Sequence, residues 1–190
     1  FSKALKINPD FYEAAEALGI SLTSQGKFKK AIRVYRKILT KFSKSYELYY
    51  NIGMLEAEMG EYENAIDDFK KCVELKQNLF MAYHNIGKLC LALNRYDEAK
   101  MWLEKAINEA PYLRDPYVEM ALLEYSLGNY DEVISNCQKA LTISGHEKTY
   151  INEVFSYDHT INDLLSVSYY YKGDLSLALE NINKAISLSP

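Results

Sequence analysis

The sequence predicts an all-α fold, a solenoid of antiparallel helix pairs, and three observations predict it. Features recur at a step of 34 residues: Gly19, Gly53 and Gly87; Ala31, Ala65 and Ala99; and, through four copies, Phe28, Tyr62, Tyr96 and Tyr130. Such a period at several positions marks a repeat array. Breakers are few, with 8 Gly and 4 Pro in 190 residues that are 48 % hydrophobic. Apolar residues recur at i, i+3, i+4 on either side of each turn, the period of an amphipathic helix.

The elements follow in chain order, as one array over residues 1–190. Residues 1–9 read as the end of a helix closed by Pro9, a partial repeat, so the chain is expected to be a piece of a longer protein. Residues 12–45 form the first full repeat, with its turn at Gly26. In residues 46–79, Leu48, Tyr49, Ile52 and Leu55 make one stripe and Tyr62, Ala65, Ile66, Phe69, Cys72 and Val73 the next. Gly60 between them accepts the left-handed conformation that ends a helix. Gly53 and Ala65 are expected where the two helices cross, their small size allowing close approach, with Tyr62 filling the space beside them. Residues 80–113 repeat the pattern with Asn94 in the glycine position, and residues 114–147 repeat it with Gly128. The next matching glycine, Gly173, stands 45 residues on, so an insertion at 145–157 precedes the final repeat, 158–190. The insertion is either a loop on a binding face or a flap covering apolar surface with Tyr150, Ile151, Val154, Phe155 and Tyr157. A single helix pair cannot bury its own apolar face, so neighbours must stack.

This pattern resembles the tetratricopeptide repeat family. The residues that carry it are the pairs Leu18-Gly19, Ile52-Gly53 and Ile86-Gly87, the Gly-x-aromatic-x-x-Ala runs 26–31 and 60–65 with the variant 94–99, the late Ala106 and Ala140, and the closing Pro9, Pro111 and Pro190. The resemblance implies a right-handed superhelical solenoid (a TPR array) whose first helices line a concave groove. Fold does not fix function, which lives in the site.

Composition and motifs exclude several classes. A net charge of −4, from 22 Lys+Arg against 26 Asp+Glu, is opposite to what a nucleic-acid binder carries. No apolar run is long enough to span a bilayer. No phosphate loop is present. His84, His146 and His159 lack metal-ligand spacing, and Asp67-Asp68, the acidic pair nearest a nucleotide-sugar motif, reads as solvated helix surface. Cys72, Cys90 and Cys137 form no Cys-x-x-Cys and read as small core residues, a usage that fits a reducing compartment and a cytoplasmic location. The expectation is no catalytic residue, no metal, no cofactor, no nucleic acid and no membrane.

Helical phase, counted from the Leu/Ile-Gly pairs, predicts the ligand-binding groove. It places Glu16 there from the first repeat, then Tyr50, Asn51 and Met54, then Met81, His84, Asn85 and Lys88. Glu119, Leu122 and Tyr125 follow, and Val167 and Tyr170 end the row. Asn51 and Asn85 offer both amide donor and acceptor to an extended peptide backbone. Tyrosines suit peptides and sugars alike. An acidic groove repels a carboxylate, so tight binding of acidic C-terminal tails is not expected.

The function so read is a non-catalytic interaction or scaffold module that binds a peptide or partner protein in its concave groove. Residues 114–117 together with 164–174 also resemble the repeat tail of bacterial family-two glycosyltransferases. That resemblance implies a glycosyltransferase parent in which this module binds a glycan acceptor or mediates assembly. The alternative is a scaffold for a secretion, regulatory or assembly complex. Self-association through exposed terminal repeats is a further expectation, from Phe1, Leu5 and Ile7 at the broken first helix.

Overall fold

In the computed structural model, residues 10–143 and 159–188 are described, with backbone alone for Asp10 and Phe11. The partial repeat at 1–9, the insertion at 145–157 and Pro190 lie outside them. Among the described residues the structure is all-helical, with ten helices: α1 Asp10–Ser24, α2 Phe28–Leu39, α3 Tyr46–Glu58, α4 Tyr62–Leu75, α5 Phe80–Ala92, α6 Tyr96–Glu109, α7 Asp115–Leu127, α8 Tyr130–Thr142, α9 Thr160–Tyr171 and α10 Leu175–Leu188.

Each pair is joined by the same turn. The backbone N–H of Lys27, Glu61, Arg95, Asn129 and Asp174 donates to the carbonyl five residues earlier, at 2.8–2.9 Å. The residue before each donor is left-handed: Gly26, Gly60, Gly128 and Gly173 at φ 69–82°, and Asn94 at 58°. This is the six-to-one bond that satisfies an orphan carbonyl at a helix end. Asparagine is among the few residues with a side chain that visit this region readily, and so replaces glycine in the third turn.

The chain divides into two compact units, residues 1–89 and 90–190, with the boundary inside α5. In the first unit α1 packs on α2, α2 on α3 and α3 on α4. Its core joins Ala15, Ala31, Tyr35, Ile38, Leu48, Ile52 and Leu55. In the second unit α6 through α10 pack in sequence, and Val118, Ala121, Val133, Cys137, Ile161, Leu164 and Leu165 form a core shared by α7, α8 and α9.

The crossing glycines work differently from the expectation of bare backbone against backbone. A Cβ on Gly53 would lie 2.9 Å from Cε1 of Phe69, and one on Gly19 would lie 2.2 Å from Cε1 of Tyr35. The space is filled by an aromatic ring from the second helix, and both rings are buried. Ala31, Ala65 and Ala99 are fully buried, as close packing at their repeated position requires.

Candidate functional site

The first-helix face of the first unit gathers predicted residues from two successive repeats. Asn85 on α5 donates from Nδ2 to Tyr50 Oη at 3.1 Å and to Met54 Sδ at 3.4 Å, both on α3. The Tyr50 ring rests on Phe69, centroids 5.4 Å apart. The amide of Asn85 thus ties two repeats together and keeps its carbonyl. Asn51, one residue along α3, is half-buried, and its side chain makes no hydrogen bond among the described residues. Met54 is exposed, while Glu16, Met81 and Lys88 are half-buried. His84 is 1 % exposed. The physical reason is that α5 is buried on opposite sides, at Ala82 and Ile86 and again at His84, where phase counting assumes one open face.

In the second unit Glu119 is 3 % exposed, because α7 is buried nearly all round from Asp115 to Ala121. Leu122 and Val167 are half-buried. Tyr125 and Tyr170 are exposed and stand at the two ends of an aromatic row. Tyr125 meets Tyr130 edge-on at 6.4 Å, Tyr130 stacks on Tyr171 at 4.7 Å and 7°, and Tyr171 meets Tyr170 edge-on at 5.8 Å.

A polar cluster between repeats was missed at the sequence level. Arg36 on α2 donates from Nη1 to Asp68 Oδ1 at 2.7 Å and from Nη2 to Asp68 Oδ2, and Nη2 also reaches Glu56 Oε1 at 3.2 Å. Asp67 is surface, as expected, but Asp68 is buried, and its reading as solvated surface is corrected here. The signal lay in the register: a step of 34 from Asp68 lands on Val34 and Trp102, and the same step from Glu56 lands on Leu22 and Cys90. Apolar residues at the same place in neighbouring repeats mark an inward position. Beside the cluster opens a cleft of about 680 Å³, lined by Arg36, Tyr49, Glu56, Asp67, Asp68 and Lys71 among others.

Burial raises the Glu56 carboxyl and the adjacent Asp68 raises it further, against the pull of Arg36, so that it is pushed up to about 7. Glu56 Oε2 is buried and accepts no hydrogen bond among the described residues. Two repeats on, Glu124 occupies the position of Glu56, and Asn136 that of Asp68. Burial raises Glu124 too, but Asn129 Nδ2 donates to it at 2.7 Å and Lys100 Nζ at 2.7 Å, and together they hold it below the ordinary value.

No group of His, Cys, Asp and Glu among the described residues is arranged to hold a metal ion. Cys72, Cys90 and Cys137 form no disulfide and are buried, and burial pushes the thiols of Cys72 and Cys137 up to about 12. A buried thiol so raised is inert. No described helix is long and apolar enough to cross a membrane.

Two family profiles match, both described as tetratricopeptide repeat, over residues 1–46 and 44–108. No curated protein sequence matches the chain. Among solved structures, a crystal structure of MamA is similar at TM-score 0.79 and 24 % identity, covering 89 % of this chain and 92 % of that one. MamA from residue 41 onward of Desulfovibrio magneticus RS-1 gives TM-score 0.81 at 22 % identity, covering 93 % of each chain. YrrB, described as a TPR protein with an unusual peptide-binding site, gives 0.77 at 21 % identity, covering 100 % of this chain and 92 % of its own. At such identities the likeness is one of fold, that of the tetratricopeptide solenoid.

Proposed function

We propose, from the premise that the chain belongs to the tetratricopeptide repeat family through residues 1–108, that it is a non-catalytic scaffold binding an extended segment of a partner protein. The segment lies along the first-helix face of α3 and α5. The observation that carries this reading is the tie from Asn85 to Tyr50 and Met54. It fixes an apolar floor with the exposed side chain of Met54 beside Asn51, whose side-chain amide has no partner among the described residues. A floor that is apolar and adaptable, with a few placed polar groups, is the chemistry of a peptide groove. The peptide-binding site named for YrrB supports the reading by analogy of fold. Three buried cysteines outside any disulfide favour a reducing, cytoplasmic setting.

The test is an array of unmodified extended peptides, with hits measured by fluorescence anisotropy. Binding is expected to weaken about tenfold, roughly 1.4 kcal/mol, in Asn51→Ala, which breaks no internal hydrogen bond. Peptides ending in acidic tails are expected not to bind. Hits that bind Asn51→Ala and Asn85→Ala as well as the wild type overturn this site. A glycan acceptor is the second reading, favoured by the exposed rings of Tyr125 and Tyr170, and links the module to a glycosyltransferase parent. Oligosaccharide binding lost in Tyr125→Ala and Tyr170→Ala, with no peptide hit, selects it.

A further inference from the structure

We infer that the outer face of α2 and the turn after it form a docking surface for an anionic membrane, drawn by lysines to the headgroups of acidic phospholipids. Residues 27–44 carry eight of the chain's 22 basic residues and no acidic one, which leaves 14 basic residues against all 26 acids elsewhere. The whole-chain charge of −4 averages this segregation away. The expectation of no membrane rests on the want of a spanning run, and contact with a charged headgroup layer needs none.

Some of these cations serve the fold. Arg36 ties Asp68 and Glu56, and Lys27 donates to Gln25 Oε1 at 2.6 Å. Lys29, Lys30, Arg33, Lys41 and Lys44 are exposed and enter no ion pair among the described residues. At about 100° per residue, Lys29, Lys30 and Arg33 fall on one side of α2, opposite the buried Ala31, Tyr35 and Ile38. Lys41 and Lys44 continue beyond its end. The face is open by register. Steps of 34 carry Lys29 and Arg33 onto Glu63 and Asp67 of α4 and onto Asp131 and Ser135 of α8, all exposed, although α8 is packed between α7 and α9. Neighbouring helices do not cover this side of a second helix.

The lysines are placed against local preference. Cations in the first turn oppose the helix dipole, which favours carboxylates there. The other second helices follow that preference, with Glu63 in α4, Asp97 and Glu98 in α6, and Asp131 and Glu132 in α8, whereas α2 has no acid in its first turn. A choice that breaks a local rule, with no compensation inside the fold, marks a surface kept for a partner.

Two features select a lipid surface over an acidic protein. Four of the five open cations are lysines, compact charges that suit a diffuse field, whereas carboxylate recognition favours the bidentate arginine fork. Phe42, between Lys41 and Lys44, is 43 % exposed and stands edge-on to Tyr12, centroids 5.1 Å apart. An aromatic ring among lysines suits the boundary between headgroups and acyl chains, while an acidic segment gives it no apolar partner. None of these residues belongs to the groove of α3 and α5, so the inference stands apart from the peptide reading.

Flotation of the 190-residue chain with vesicles of phosphatidylcholine alone, or with one-third phosphatidylserine, tests the inference at low and at high salt. The wild type is expected to float only with the phosphatidylserine vesicles and to be released as salt screens the lysines. The double variant Lys29→Glu, Lys30→Glu restores the acids that the other second helices carry. It is expected to melt no lower than the wild type and yet to bind about tenfold or more weakly. Lys41→Gln with Lys44→Gln is expected to weaken binding about fivefold or more, at unchanged helix content by circular dichroism. A wild type left unbound by the phosphatidylserine vesicles overturns the proposal, as does binding indifferent to salt or to both double variants. So does capture by polyglutamate or by an oligonucleotide but not by vesicles, which signifies a different anionic partner.

Discussion

Glu56 and Glu124 stand at one repeat position and respond to pH in opposite senses. Glu56 is raised in the native state from 4.5 to about 7. It therefore lends stability that is fully present below pH 4.5 and is lost as pH rises toward 7, since the native state holds the proton longer. Glu124 is lowered, so its contribution is present above 4.5 and is lost as pH falls through its native value. Glu56→Gln keeps the shape of the neutral acid and removes the titration. Thermal melts between pH 5 and 8 are expected to show a wild type that softens as pH rises and a variant with a flatter profile. A wild type that instead gains stability across that window contradicts a raised Glu56 carboxyl. The difference lies in the partners each buried carboxyl meets, Asp68 beside Glu56 and the donors Asn129 and Lys100 at Glu124, which no reading of periodicity weighs.

At the scale of the element, the helix pair was legible because its determinants are local. Turn residues, small residues and the apolar stripe all repeat every 34 positions, and each limits the backbone directly. What occupies the crossing was less legible. The smallness of Gly19 and Gly53 was readable, but the ring that fills the space comes from 16 residues away, at Tyr35 and Phe69. Phase alone does not choose between an approaching backbone and an approaching ring. Because Tyr35 is buried and close-packed, Gly19→Ala is expected to destabilise by about 1–3 kcal/mol through overpacking, read as a lower urea midpoint at unchanged slope. A midpoint equal to that of the wild type means that the ring has room to retreat.

Across the whole molecule, the charge balance and the fate of the cysteines followed from composition, while the open surface did not. The predicted groove residues divide into open positions such as Met54, Tyr125 and Tyr170 and covered ones such as His84 and Glu119. Helical phase fixes direction along a helix but not how many neighbours close over it. Burial of all three thiols gives a check on the folded chain. Ellman's reagent is expected to react slowly with the native protein and with three thiols per chain in denaturant, and prompt native reaction would place a cysteine at the surface.

The turns allow a last consequence. All five helix-pair turns close with one backbone bond, between residues five apart, and side chains enter only in permitting a left-handed residue. The hinge is thus indifferent to what the helices present, much as a book's binding is indifferent to its print. Faces that bind, pair or titrate are free to diverge from one repeat to the next, as Asp68 and Asn136 have, without disturbing the joint that holds each helix against its mate.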